Sequence, residues 1–321
     1  MMRDNYLVQF SDNIFESSAA LKYFRAKADI QGGDNIVKTP ILYAETTAKG
    51  SVKGFGTMNI NPNEQFTKAV YTYVRLYVSI TVSKDEEDYT GGDLGVMKMI
   101  EAKMKAAELS LTKLLSQGMI SDGNDANYPH GIRKIINIDR SLGGINSTTE
   151  PWWDGNVLLD TTNLTKANLI NPESDYYILK VLRHYWNKAK HNNDHPDIII
   201  CSQGWEDCLE EEVGPYQRYI NDSKGDVTQA NVEFADFTYK KKAPFLVDDI
   251  VSDEAPGELY MLNSDWIDLT FHEKGNFFLD SFIRPANIAG RVAQIFVVCQ
   301  FTCRGPRMLS RIQANSDIEP S

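Results

Sequence analysis

The most constraining feature of the sequence is a segment at residues 70–83 in which apolar and polar positions alternate. Period-two alternation predicts a β-strand, and this segment is far longer than the five or six residues of an ordinary strand. At ~3.3 Å per residue it would reach roughly 46 Å. A strand of that length must leave a compact body or cross it completely. Because residues 36–43 read as its antiparallel partner, we predict a projecting hairpin.

A long amphipathic helix is predicted next, at residues 94–118, after an acidic link at residues 85–88. Its apolar positions recur at spacings of three, four and seven residues. Glu101 precedes Lys105 by four residues, the favourable order for an ion pair on a helix, and Gly118 supplies a stop signal. About 24 residues at 1.5 Å each would form a rod of roughly 36 Å.

The middle of the chain alternates between helical and strand patterns. Residues 131–138 are interpreted as a short strand, and a helix is predicted to start at Asn171 with Pro172 in its first turn. A buried strand at residues 198–201 and a helix at residues 203–213 follow. Strand patterns then return at residues 244–247, 259–262, 267–271, 277–283 and 292–303. The predicted fold class is therefore α+β, with a small α/β unit in the middle.

Composition excludes several classes of protein. The 321 residues include 33 basic and 44 acidic side chains, a net charge of -11, which argues against tight binding to a nucleic-acid backbone. No apolar run approaches the roughly 18 residues that span a bilayer, and the N-terminus lacks the apolar core of a signal peptide. We therefore expect a soluble protein without membrane contact, made in a reducing compartment. The spacing of Cys201, Cys208, Cys299 and Cys303 predicts buried free thiols.

Few residues offer catalytic chemistry. The sequence contains no phosphate-binding glycine loop, dinucleotide fingerprint or nucleophile elbow. His191 and His195 have the spacing of a zinc-binding helix but lack the following glutamate and run into Pro196, so a polar helix end is the simpler interpretation. We expect no catalytic site, cofactor or metal. The acidic run at residues 210–212 lies near a helix C-terminus, where a basic partner from another chain would relieve the unfavourable dipole.

The order of these parts resembles that of the major capsid protein of tailed bacteriophages, over roughly residues 30–310. No single motif is diagnostic, and the resemblance is carried by seven runs that occur in the family's order. They are residues 94–118 with Ser121-Asp122-Gly123, Gly131-Ile132-Arg133-Lys134-Ile135, Gly143-Gly144-Ile145 with Pro151-Trp152-Trp153, Pro196-Asp197-Ile198-Ile199-Ile200, Gln217-Arg218-Tyr219, Lys242-Ala243-Pro244-Phe245, and Met261-Leu262-Asn263 through Arg291-Val292-Ala293-Gln294.

The resemblance implies a particular domain organisation. Residues 1–35 would form an N-terminal arm and residues 36–83 the extended β-hairpin, called the E-loop. Residues 84–125 and 266–305 would form the peripheral domain with its long spine helix. Residues 126–265 and 306–321 would form the α/β axial domain.

The resemblance also implies a function without catalysis. The chain would assemble into hexamers and pentamers of an icosahedral shell, the virion capsid, which is built in the host cytoplasm and encloses double-stranded DNA without reading its sequence. Expected partners are further copies of the chain, a portal, a separate scaffolding protein and, in some relatives, a cement or decoration protein. The candidate assembly residues are Lys49, Lys53, Phe55, Tyr71, Tyr73, Arg75, Tyr77, Glu101, Lys105, Glu211, Glu212 and Arg218.

Some properties of the family do not transfer to this sequence. The arm is short, so no built-in scaffolding domain is expected. Certain relatives join subunits through a lysine–asparagine bond; Lys49 and Lys53 lie near the hairpin tip, but the asparagine and glutamate of that reaction have no assigned positions. Two alternatives stay open: a cellular nanocompartment shell of the same fold, and a metal-dependent α/β enzyme that would use His191 and His195.

Overall fold

Two large β-sheets and two small two-stranded sheets organise the part of the chain that the structure describes. The computed structural model describes residues 18–89, 92–191, 194–213, 238–240, 242–286 and 289–319. The strands are β1 (Asp29–Gln31), β2 (Ile36–Leu42), β3 (Phe66–Thr72), β4 (Val74–Ser83), β5 (Ser141–Leu142), β6 (Ile145–Asn146), β7 (Asn156–Leu159), β8 (Ile198–Cys201), β9 (Thr238–Tyr239), β10 (Ala243–Val247), β11 (Glu258–Leu262), β12 (Ile267–His272), β13 (Phe278–Leu279), β14 (Gly290–Cys303) and β15 (Ser310–Gln313). The α-helices are α1 (Ala19–Ala26), α2 (Lys84–Tyr89), α3 (Gly92–Ile120), α4 (Ile132–Ile135), α5 (Lys166–Leu169), α6 (Ile178–Lys188), α7 (Gln203–Val213) and α8 (Asp249–Glu254).

The first large sheet is built around β14, a strand of 14 residues. β4 runs antiparallel along one edge of β14, in register from Val74 opposite Cys299 to Ser83 opposite Gly290. β12 and β13 share the other edge, and β1 adds in parallel beyond β12. Alternate residues of β4, such as Leu76 and Ile80, are buried, as expected of a strand with one face on the core.

The predicted uninterrupted strand at residues 70–83 is wrong, because the segment forms two strands in different sheets. β3 pairs with β2 as a separate two-stranded hairpin, and β4 joins the sheet around β14. The buried face changes between them: Tyr71 and Tyr73 are buried at odd positions, whereas Leu76 and Ile80 are buried at even positions. Tyrosine suits either a buried or an exposed position, so the alternation of residue types did not reveal the change of face.

The long helix α3 is confirmed and contains 29 residues, or about 43 Å at 1.5 Å per residue. Its buried stripe recurs every three or four residues and comprises Met104, Ala107, Leu111, Leu115 and Met119. Gly118 does not end the helix, which continues to Ile120. A Cβ atom at Gly118 would lie 3.0 Å from the ring of Pro129, so this glycine permits close packing against the returning chain.

The second large sheet has the strand order β7-β15-β11-β8-β10-β9 and forms the predicted α/β unit. β8 is fully buried and pairs in parallel with β10 and antiparallel with β11. Helices α6 and α7 pack their apolar faces into one cluster with β8 and β11, around Trp186, Trp205 and Ile199. The bounds of β8 and α7 agree with the predicted bounds.

Three local predictions are wrong. Residues 131–138 contain the short helix α4, because Gly131 lies directly against the backbone of Ser121 and the chain turns there. Helix α6 begins at Ile178, since Asn171 instead closes a turn by accepting a hydrogen bond from the Glu173 N–H at 3.1 Å. Within residues 277–283 only β13 is a strand, and Phe277 adopts a positive φ of 48°.

Two buried or half-buried carboxylates attach α1 to the rest of the chain. Asp248 accepts hydrogen bonds from the Ser18 hydroxyl at 2.6 Å and the Ala20 N–H at 3.3 Å, and it also caps α8 through the Ile250 N–H. Asp197 accepts from the Tyr23 hydroxyl at 2.7 Å. The part of the predicted arm that the structure describes therefore packs against the body. All four cysteines are buried and free, as predicted.

Candidate assembly surfaces

The hairpin tip, residues 43–65 between β2 and β3, exposes large apolar side chains. Phe55 is fully exposed, and Met58 and Ile60 are 75% and 84% exposed. Complete burial of a side chain of this size stabilises by about 1.5 to 3 kcal/mol, and grouped exposed apolar residues are typical of interaction sites. Phe55 was a predicted assembly residue; Met58 and Ile60 were missed, although apolar residues inside an otherwise polar loop were the available signal.

Asparagine side chains shape the tip where strand pairing ends. The Asn63 amide donates to the Glu45 carbonyl at 3.0 Å, and its oxygen accepts from the Thr47 N–H at 3.1 Å. Asn59 donates to the Thr47 carbonyl at 3.2 Å. Such side-chain contacts replace the backbone ladder and hold the loop in one shape.

The two candidate lysines of the tip differ in their surroundings. Lys49 pairs with Glu45, and its ammonium holds the pKa of that carboxyl below the ordinary value. Lys53 is exposed and has no salt bridge within the described part of the chain. Of the two lysines, Lys53 therefore presents the charge that is not paired among the described residues.

The base of the hairpin is packed against the body. Tyr43 stacks on Trp152 with ring centroids 5.4 Å apart. The Val70 N–H donates to the carbonyl of Gly143 at 2.9 Å, and a Cβ at Gly143 would lie 2.7 Å from that of Ala69. A tight glycine turn thus supports β3, so the tip projects from an ordered base.

The aromatic candidates divide into buried and exposed residues. Tyr71 is fully buried, where its hydroxyl donates to the Cys303 carbonyl at 2.9 Å and burial raises the pKa of the phenol. Tyr73 is also buried, at 7% exposure. Their burial within one chain leaves neither for contact with a neighbour. Arg75 lies over the Phe296 ring, and Tyr77 is 60% exposed.

The acidic and basic candidates outside the hairpin that the structure describes lie on two helices, α3 and α7. Glu101 and Lys105 are both exposed on α3. Glu211 pairs with Lys166 of the same chain at 3.5 Å, and Glu212 accepts a hydrogen bond from the Tyr177 hydroxyl. A same-chain lysine thus provides the basic partner that was expected from another chain for Glu211. Arg218 lies outside the described residues.

The acidic link at residues 85–88 is helical, in α2, and is tied to the first large sheet. Glu87 forms salt bridges with Arg291 at 2.8 Å and Arg284 at 3.6 Å. Glu86 pairs with Lys103 of α3 at 2.6 Å. These salt bridges connect α2 to α3, to Arg284 and to Arg291 of β14. The sequence pattern did not predict them, because the paired residues are far apart in the sequence.

The zinc-helix arrangement of His191 and His195 is not present, because α6 ends at Lys188 and His191 forms an isolated antiparallel bridge with Asp194. His195 stacks on Trp186 at 6.0 Å. Within the described residues, no group of histidine, cysteine, aspartate or glutamate side chains could hold a metal ion. Among those same residues, no helix has both the length and the apolar character to cross a membrane.

Comparison with solved structures identifies the fold. The chain superposes on a chain from the capsid asymmetric unit of cyanophage A-1(L) with a TM-score of 0.60, 15% identity and coverage of 94% of each chain. The capsid of Myoviridae phage XM1 matches at a TM-score of 0.55, with 10% identity and 93% coverage of each chain. The SrpI encapsulin of Synechococcus elongatus PCC 7942 matches at 0.54, with 10% identity, covering 93% of this chain and 88% of that one.

No family model and no curated protein sequence matches the chain. The chain nevertheless has the fold shared by phage capsid shells and encapsulin shells, over nearly its whole length. The predicted resemblance to tailed-phage capsid proteins is thereby confirmed as a likeness of fold.

Proposed function

We propose that the chain is the structural subunit of an icosahedral bacteriophage capsid, which assembles into hexamers and pentamers around packaged double-stranded DNA. The fold of phage shells over nearly the whole chain supports this proposal. The observation that carries it is the exposed apolar hairpin tip, with Phe55, Met58 and Ile60 in solvent. In a monomer the loop would leave its apolar side chains in contact with water, whereas in a shell a neighbouring subunit would cover them.

In this proposal each region has an assembly role. The β2–β3 hairpin with its tip is the E-loop, residues 36–72, which lies over a neighbouring subunit; β4 belongs instead to the peripheral domain, because it pairs with β14. Helix α3 is the spine helix of that domain. The sheet around β8 and β11, with α6 and α7, is the axial domain that meets its copies at the capsomer centre.

The proposed partners follow from the same assignment. Copies of the chain form the shell, a portal occupies one vertex, and a separate scaffolding protein guides assembly in the host cytoplasm; a decoration protein can bind the finished virion. No residue is assigned a catalytic role. The assembly contacts use Lys49, Lys53, Phe55, Arg75, Tyr77, Glu101 and Lys105.

A cellular nanocompartment shell is the second candidate, because an encapsulin is among the similar structures. The contents of purified particles distinguish the two functions. DNA together with a portal supports the capsid, whereas an enclosed enzyme supports the compartment.

The test of shell formation is sedimentation velocity of the expressed chain, alone and with co-expressed scaffolding protein, with electron microscopy of the fastest fraction. We expect closed shells or five- and six-fold rings. A variant without residues 46–56 should remain folded, with an unchanged melting transition, and should form no shells. A chain that stays monomeric with scaffold and crowding agents, or a deletion variant that still forms shells, would contradict the proposal.

A further inference from the structure

Two helices of the α/β unit carry opposite charges although they share one apolar core. Helix α6 contains Lys180, Arg183 and Lys188 and no acidic residue. Helix α7 contains five acidic residues, Glu206, Asp207, Glu210, Glu211 and Glu212, and no basic one. Both helices pack on the same cluster around β8 and β11. Their solvent faces therefore present two neighbouring surfaces of opposite sign.

The positive charge continues beyond α6 onto the β9–β10 turn. We define the basic face as Arg183, Lys190, Lys240 and Lys242, all of which are exposed. Lys240 lies 5.5 Å from the centre of the Trp186 ring and 5.4 Å from that of Tyr239. Burial, followed by the nearby charges of Lys190 and Arg183, lowers the pKa of Lys240. These cations are thus close enough to repel one another.

No described carboxylate forms a salt bridge with a cation of the basic face. This differs from the other charged clusters, since the arginines beside Glu87 and Glu258 are paired within the chain. On a protein of net charge -11, a group of cations that has no salt bridge among the described residues would be stabilised by an acidic partner.

Part of the acidic surface on α7 likewise forms no salt bridge within the described residues. We define the acidic face as Glu206, Asp207 and Glu210 of α7. Glu206 and Glu210 are exposed, four residues apart on one side of the helix. Partial burial and the charges of Glu210 and Asp207 raise the pKa of Glu206. No described lysine or arginine forms a salt bridge with these three residues, whereas Glu211 has Lys166.

Ion pairs do not join the two faces within the described part of one chain. None of its salt bridges connects a cation of the basic face with Glu206, Asp207 or Glu210. The Tyr177 hydroxyl of α6 donates to Glu212 of α7, which lies outside the acidic face. A second copy of the chain presents the complementary charges to each face, so a contact between copies would neutralise both.

We propose that the basic face of one copy docks on the acidic face of the next copy in a head-to-tail ring. The contact is heterologous, so each copy uses both faces and a rotation closes the ring. This inference rests on the proposed function and names the contact between axial domains. A nucleic-acid duplex is the less favoured occupant, because the adjacent acidic helix would repel its phosphates.

Charge reversal tests the contact. Variant one carries Arg183→Glu and Lys190→Glu, variant two carries Glu206→Lys and Glu210→Lys, and variant three carries all four. We expect each double variant to need at least about tenfold more protein to form rings, because like charges now face each other. Variant three should assemble as the wild type does. A mixture of variants one and two should form rings of even number, such as hexamers, and no pentamers, because the two must alternate.

The controls separate this contact from folding and from shell formation. Circular dichroism melting should be unchanged in all variants, since the residues are exposed. If the wild type forms no rings, the proposed function fails; if the wild type and both double variants assemble alike, only the docking proposal fails. Failure of variant three to assemble while it remains folded overturns the docking proposal too. Normal assembly of variant one with weakened binding to a 30-base-pair duplex would assign the basic face to nucleic acid instead.

Discussion

The hairpin tip exposes apolar side chains to solvent, whereas the interior of the α/β sheet buries a charged side chain. In the sheet, Glu258 is fully buried, and its carboxylate accepts hydrogen bonds from Arg311 at 2.6 and 3.0 Å and from the Tyr260 hydroxyl. Arg133 adds a salt bridge at 3.1 Å. At the tip, Phe55 and Ile60 lie in solvent and short polar contacts hold the loop.

The difference indicates where each region obtains its stability. A buried carboxylate is tolerated only when it is paired within the chain, so the Glu258 network belongs to the folding of one subunit. An exposed apolar loop adds nothing to that stability and gains free energy only when another surface covers it. Measurements on the isolated subunit and on the assembly should therefore respond to different residues.

The largest effect on subunit stability is expected from Glu258→Gln. The substitution leaves the buried Arg311 and the partly exposed Arg133 without a matching charge, and it should lower the free energy of unfolding by about 3 to 5 kcal/mol. Denaturant unfolding of the subunit measures this. Asp34→Asn is the matched control, because it removes an exposed pair with Lys38, worth less than about 0.5 kcal/mol. Equal losses in the two variants would contradict the assignment of the network to folding.

A smaller, pH-dependent effect is expected from His130. Burial, followed by the charge of Lys134, lowers the pKa of His130 to about 4. Because the unfolded chain binds the proton near pH 6.5 and the folded chain does not, stability should be lost as the pH falls from about 6.5 towards 4. Between pH 7 and pH 4.5 the loss from this group is about 2 to 3 kcal/mol.

The His130→Gln variant isolates that contribution. Its free energy of unfolding should fall less steeply than that of the wild type over the same pH range, because the titrating group is absent. Parallel pH profiles for the two proteins would show that His130 is protonated equally in the folded and unfolded chain.

The smallest effect on the subunit, and the largest on assembly, is expected from the tip. A triple variant with Phe55→Ser, Met58→Ser and Ile60→Ser should keep its free energy of unfolding within about 0.5 kcal/mol, as exposed substitutions do. Sedimentation should show that it no longer forms shells. Lys68→Ser, on an exposed position of β3, is the control outside the tip. A loss of subunit stability in the triple variant would mean that the loop packs on its own chain.

Much of the fold could be predicted from local pattern. Helix α3, strand β8 and helix α7 follow from periodicity, because each buries one regular set of side chains. The start of α6 and the end of α3 were misplaced, since Asn171 and Gly118 have uses other than capping. Of the candidate assembly residues, Phe55 is exposed, whereas Tyr71 and Tyr73 are buried; their part in assembly stays a prediction.

The sequence by itself determined the order and type of the main elements, the absence of an evident catalytic motif and the likeness to capsid proteins. Tertiary structure decided which strand pairs with which, and so divided residues 70–83 between the hairpin and the sheet around β14. It also decided which charges are neutralised within the chain, at Glu87 and Glu258. The physical reason is that periodicity reports only the faces of one element, whereas pairing and charge neutralisation depend on residues that are distant in sequence.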